Sequence, residues 1–259
     1  MQGYWDLVRP TYIENWEPSL YSLSIASIDI PLDDDAPKRL GSNIIEYGES
    51  FGPIQDIADI RAKVAAAVYK MPHGAFIRLG SRSPKDAWSM HEHGAKIAAG
   101  QDPLRFMLDC SERIYEDLSL AIQENYTPHI WVREWREIPR WAEFRCFMQD
   151  RKLVGISQYN YLNREEFPEI DAEYDMFGWC IQEFFKLFLK TTTMRDIIFD
   201  VYINVVNTSP HVRCGEVKLL EINPFFELTD PCLFAWNLEL DRTFRFNKAG
   251  KIKSVPLSC

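Results

Sequence analysis

Along "LYSLSIASIDI", Leu20 to Ile30, apolar and polar positions alternate with the period of two that marks a half-buried strand. After the punctuated stretch "PLDDDAPKRLGSN" (31–43), a surface loop by its Pro, Gly and acidic content, the period changes. Ile54, Ile57, Ile60, Val64 and Val68 recur at helical spacing through "PIQDIADIRAKVAAAVYKM". "GAFIRLG" (74–80) is short, apolar and strand-forming. "DPLRFMLDCSERIYEDLSLAIQENY" places Leu104, Met107, Leu108, Ile114, Leu118 and Ile122 on one face of a single amphipathic helix. Three β-rich runs follow, "HIWVREWR", "WAEFRCFMQ" and "KLVGISQYN", punctuated by Pro139 and by the pair Asp150-Arg151, and read as an antiparallel meander. "EYDMFGWCIQEFFKLFL" predicts a second long helix. "DIIFDVYINVV" and "EVKLLEIN" predict two closing strands joined by a turn at "NTSPHVRCG". This order predicts an α+β chain of two interleaved lobes rather than a doubly wound parallel sheet.

Composition narrows the partners. The 259 residues carry a net charge of −9, which argues against a chain that wraps nucleic acid through cationic contacts. The N-terminus "MQGYWDLVRP" lacks the features of a secretory signal, and no apolar run approaches the ~18 residues of a membrane span. The six cysteines are dispersed without a CxxC pair, so reduced, mostly buried cysteines in a cytoplasmic protein are expected.

Against that acidic background "RLGSRSPKDAW" (78–88) concentrates Arg78, Arg82 and Lys85 beside Gly80, Ser81 and Ser83. Ser83 as N-cap, Pro84 at the first helical position and Asp86 three residues on predict a helix start there. Its N–H groups and the neighbouring cations would form an anion site. The alternative is a solvated loop whose cations pair with acidic neighbours. The spacing is not that of a P-loop.

A second group lies on the closing strands. Asp200 sits among apolar residues, and Glu221 and Asn223, two apart, leave one face of their strand before Pro224 ends it. Two carboxylates and an amide oxygen suit Mg²⁺ together with phosphate oxygens; paired polar residues at strand ends are the alternative. Glu143 and Arg145 also share a strand face, where a structural ion pair is the commoner role. His91 and His93, at i and i+2, do not face each other on a helix and belong to the surface.

"EFRCFMQDRKLVGISQ", "IIFDVYI" and "EINPFFELTDPCLFAWNLEL" resemble the cell division cycle protein 123 family, an ATP-grasp group, over nearly the whole chain. The resemblance implies two interleaved lobes with antiparallel sheets and an ATP cleft between them. About 1–127 would form the N-terminal lobe with a phosphate-facing loop, and about 128–259 the C-terminal lobe with the hinge and Mg²⁺-binding strands. ATP and Mg²⁺ are the implied cofactors. Asp200, Glu221 and Asn223 would hold the metal, with Asp200 and Asn223 also touching the nucleotide. Arg78 matches the phosphate-facing lysine, followed by Gly80, Ser81 and Arg82; Glu134, Trp135 and Arg136 match the segment lining adenine. Glu143 and Arg145 match nucleotide-contacting positions. Where the family pattern reads "PKLNWS-x-P" and "GISQRD", this chain has "IRLGSRSP" and "GISQYN". Tyr159 thus replaces a nucleotide-facing arginine whose charge Arg82 would supply. "LEINPF" stands for "IDFNPF", an exchange a Mg²⁺ site tolerates. Eukaryotic members help assemble translation initiation factor 2. The implied function is therefore that of a monomeric, ATP-dependent assembly chaperone for a protein partner, the factor's gamma subunit in a eukaryote. No nucleic acid or membrane partner is implied. A ligase that activates a carboxylate as an acyl phosphate for an amine or thiol is the alternative.

Overall fold

A computed structural model describes residues 3–44, 52–209, 212–236 and 241–257, with the side chains of 206–214 left aside. The chain divides into two compact units. One holds residues 3–15 and 26–136, the other 16–25 and 137–259. The short helices are α1 (Tyr4–Val8), α2 (Ala36–Gly41), α4 (Trp88–His93) and α5 (Arg105–Leu108); the longer ones are α3 (Ala58–Tyr69), α6 (Glu112–Gln123) and α7 (Pro168–Thr191). No described helix is long and apolar enough to cross a membrane.

The first unit is built on a three-stranded antiparallel sheet. Its strands are β1 (Ser27–Pro31), β2 (Ala75–Leu79) and β3 (His129–Glu134), in the order β1-β3-β2. The alternation over 20–30 becomes strand only from Ser27. Pro18 fixes a helical φ and opens a 3-10 helix over Pro18–Leu23 instead. The loop expected over 31–43 contains α2. β3 does not lead a meander: it is the centre of this sheet, with Ile130, Trp131, Val132 and Arg133 buried. The single helix expected over 102–126 is two, α5 and α6, broken at Cys110, where φ is +54°. Ser111 wins over the periodicity because its Oγ accepts the Ile114 N–H as an N-cap.

The second unit carries a six-stranded sheet. Its strands are β4 (Glu143–Gln149), β5 (Lys152–Gln158), β6 (Ile197–Ser209), β7 (Val212–Pro224), β8 (Thr243–Lys248) and β9 (Lys251–Pro256), in the order β7-β6-β4-β5-β8-β9. All neighbours are antiparallel except β5 and β8. The expected turn at 207–215 is mostly strand, and its tip at 210–211 lies outside the described residues. Asp150 and Arg151 make the tight β4–β5 turn with φ of +49° and +60°, the left-handed pair that a two-residue hairpin needs. Arg151 offsets that strain by donating to the carbonyls of Leu189, Thr192 and Met194 at the end of α7. α7 starts at Pro168, earlier than the pattern indicated, because proline suits a first helical position and Glu169 and Asp171 complement the helix dipole. Its apolar face lies on the sheet through Phe177, Phe184, Phe185 and Phe188. Phe188 stacks on Phe199 at 4.8 Å and Phe177 packs on Phe144 at 5.6 Å. Burying each such ring contributes about 1.5–3 kcal/mol. One face of the sheet thereby packs under α7, and by strand alternation Arg145 and Asp200 lie on the other.

Candidate functional site

Strand register builds the site on that other face. Arg145 lies opposite Asp200, and Asp200 lies opposite Glu221, so three neighbouring strands align one cation and two carboxylates in a row. Ser157 on β5 opposes Arg145 from the other side. Asn223, two residues beyond Glu221, opposes Ile198. Next to the row the β6–β7 register shifts between Asp200 and Val201, a bulge of the kind that re-aims side chains beside functional sites. Beyond the polar row the same face turns apolar, where Phe147 and Ile198 pack under Phe234. Gly155 is required there: a Cβ would come within 2.8 Å of the Phe234 ring.

Arg145 and Asp200 are both buried, with relative exposures of 5% and 1%. Arg145 Nε donates to Asp200 Oδ1 at 2.8 Å and its Nη2 to Oδ2 at 2.7 Å, a bidentate fork. Its Nη1 donates to the Asp230 carbonyl at 2.7 Å, and its guanidinium lies over the Tyr159 ring at 5.0 Å. Burial works against the Arg145 charge, but the Asp200 carboxylate outweighs it and lifts the pKa well above the ordinary arginine value. Burial likewise pushes the Cys232 and Cys146 thiols up, so neither is poised as a thiolate. Asn223 Nδ2 reaches Asp200 Oδ2 at 3.4 Å.

Asp230 was not singled out from the sequence, although the Asp-Pro pair it forms with Pro231 marks a turn. Its carboxylate accepts from the Tyr161 hydroxyl at 3.0 Å and from the Cys232 N–H at 2.8 Å. Burial, then the bond to Asp230, pushes the Tyr161 phenol up to about 12.

Among the described residues no three His, Cys, Asp or Glu side chains gather into a metal site of their own. Asp200, Glu221 and Asn223 each carry an oxygen of the hard kind that Mg²⁺ takes. The Asp200 oxygens keep acceptor capacity beyond the bonds from Arg145 and Asn223.

In the first unit the cationic turn is differently arranged. No helix starts at Ser83, which is buried, and α4 begins only at Trp88. Asp86 instead accepts from Ser111 Oγ at 2.7 Å and the Arg113 N–H at 2.9 Å, so its carboxylate serves the N-terminus of α6. The open N–H groups of α6 attract it more than a one-turn start would. Arg82 pairs with Glu116 at 2.9 Å and Asp117 at 3.3 Å. Burial opposes the Arg82 charge while Asp117 and Glu116 raise its pKa overall; burial raises that of Asp117, with Arg82 and a Ser81 hydrogen bond pulling the other way. Arg78 is buried on β2, with Nε donating to the Leu79 carbonyl. Gly80 presses on Glu14, whose oxygen would overlap any Cβ there. At the end of β3 and just beyond it, the N–H groups of Glu134 and Trp135 go to the Ala26 and Gly74 carbonyls, and Arg136 pairs with Glu134 at 2.6 Å. His91 and His93 are exposed, as their spacing implied.

A family model described as D123 matches residues 32–255. The translation initiation factor eIF2 assembly protein of Candida albicans is 26% identical over 215 residues, covering 79% of this chain and 59% of that protein. The protein of that name from Xenopus tropicalis is 24% identical over 90% of this chain and 77% of its own length. The one from Botryotinia fuckeliana is 31% identical over 73% of this chain and 47% of its own. The chain thus spans about half to three-quarters of these relatives' lengths. The solved structure of Cdc123 from Schizosaccharomyces pombe superposes with a TM-score of 0.72 at 21% identity, covering 92% of both chains, a likeness of fold.

Proposed function

The chain belongs to the D123 family, and on that premise we propose that it binds ATP with Mg²⁺ and acts as an ATP-dependent assembly chaperone for a translation initiation factor 2 subunit. The relatives' names, eIF2 assembly protein, support the partner half of this reading. The observation that carries the nucleotide half is the row of buried Arg145 and Asp200 and half-buried Glu221, with Asn223 beside it. Asp200, Glu221 and Asn223 would hold Mg²⁺, which neutralises phosphate charge when bound. Arg145 fixes the Asp200 carboxylate in one rotamer, so the donors need little reorganisation. Glu143 and Tyr159 adjoin this row, the Tyr159 N–H donating to the Glu143 carbonyl at 3.1 Å. In the first unit Arg78, Gly80, Ser81 and Arg82 would meet phosphate, and Glu134, Trp135 and Arg136 adenine, as in an ATP-grasp protein.

An assembly chaperone needs ATP bound, whereas a ligase must consume it. The purified chain is mixed with ATP, Mg²⁺ and the gamma subunit of initiation factor 2, and the products are analysed by mass spectrometry. A stoichiometric complex strengthened by ATP, with slow turnover and no mass adduct, is expected. Rapid ADP release with a mass increase on the subunit would replace this reading with ligation.

A further inference from the structure

Two leucines stand out of the second unit close to the row. Leu162 is 68% exposed in the loop after β5, and Leu228 is 74% exposed in the turn after β7. Single exposed leucines are ordinary. These two are set apart by what holds them. Residue 161, beside Leu162, donates its hydroxyl to Asp230, two residues from Leu228, and Arg145 donates to the carbonyl of the same Asp230. The Leu228 turn is closed on itself by the Thr229 N–H to the Phe226 carbonyl at 2.9 Å and by Thr229 Oγ1 to the Pro224 carbonyl at 2.9 Å. The Leu162 loop is held by Gln158 Nε2 and Asn247 Nδ2, which both donate to the Glu165 carbonyl. The leucines are therefore displayed by ordered loops, and docking there costs little conformational entropy.

Charge identifies the occupant. Segments 162–169 and 227–230 hold five carboxylates and one arginine, Arg164. Glu166, Glu169, Glu227 and Asp230 are all exposed, while Glu165 is engaged by Arg140. We propose that Leu162 and Leu228, framed by these carboxylates, form the docking surface for the protein partner, and that the partner presents an apolar patch ringed by lysine and arginine. This rests on the assembly reading and deepens it. It also places the partner beside the group that holds Asp200, since the Arg145 fork joins Asp200 to the Asp230 turn.

The test uses the full chain and the purified gamma subunit of initiation factor 2, with affinity measured by calorimetry with ATP and Mg²⁺ present. Leu162→Ser combined with Leu228→Ser, both at exposed positions, should weaken subunit binding by at least about tenfold and leave ATP affinity unchanged. Glu227→Lys alone should weaken it by about two- to fivefold, and raised salt should weaken the wild-type complex. Unchanged subunit affinity in the leucine double variant overturns this surface while leaving the assembly reading intact. A wild-type chain that binds ATP but never the subunit overturns the assembly reading and this surface with it.

Discussion

The second unit's row on β4, β6 and β7 and the first unit's turn at 78–86 both gather charged residues beside small or polar ones, yet they differ in what their charges do. In the row, register places Arg145, Asp200 and Glu221 side by side, and no rotation of a loop can separate them. In the turn, Arg82 is held by Glu116 and Asp117 of α6, and Asp86 serves that helix's N-terminus. A charge on a central strand owes its position to the whole sheet, whereas a charge in a loop goes to the nearest opposite charge. The row is a prearranged oxygen set; the turn's first task is to fasten β2 to α6.

The sharpest way to break this contrast is to remove the central cation of each. Arg145→Met leaves Asp200 buried without its partner and should lower stability by about 3–5 kcal/mol in urea unfolding. Arg145→Met with Asp200→Leu should recover much of that loss. Arg82→Ala should cost less, about 1–2 kcal/mol, because only Asp117 is left largely buried. An equal loss at both positions would erase the distinction. The Arg82 variant also sharpens it in a second way. If Arg82 supplies the charge absent at Tyr159, Arg82→Ala weakens ATP and Tyr159→Arg partly restores it, with non-additivity in the cycle; a change in stability with no change in ATP affinity would make Arg82 purely a fastener.

Asp86→Ala should cost about 1 kcal/mol by exposing the N-terminus of α6, read by urea unfolding followed through helical circular dichroism. No loss would show that Ser111 caps that helix alone. The smallest effect concerns pH. Burial raises the Glu17 pKa, but bonds from Thr193 and Thr192 outweigh it, so the folded value lies below the ordinary 4.5. The stabilisation is then fully present above about pH 4.5 and fades as pH falls through the lower folded value. Melting temperatures from about pH 6 to about pH 3 should fall more for the wild type than for Glu17→Gln. Parallel curves would remove the Glu17 clamp on Thr192 and Thr193 from the account.

Much of the row could be read from residues alone. Asp200 inside an apolar strand and Glu221-x-Asn223 before a proline state their own geometry, because strand periodicity fixes facing. Their pairing with Arg145 needed the sheet order, which periodicity does not contain. The same limit hid the place of β3: its six residues look like the strands that follow, and only partners distant in sequence make it the centre of the first sheet. Local chemistry misled where two signals competed. Ser83-Pro84-x-Asp86 resembles a helix start, yet Asp86 is drawn to a helix 26 residues further on, whose first residue is Glu112. Ser111 inside an unbroken apolar stripe was the one visible sign that the long helix would split.

The most direct test of the central claim is calorimetry of ATP binding with and without Mg²⁺, on the wild type and on Glu221→Gln, which spares the Arg145–Asp200 fork. Wild-type binding should be strongly metal-dependent, and the variant should lose roughly tenfold or more in the presence of Mg²⁺ with little change in its absence. Equal affinity with and without the metal, or a variant indistinguishable from wild type in Mg²⁺, would contradict the assignment of the row as a metal-nucleotide site.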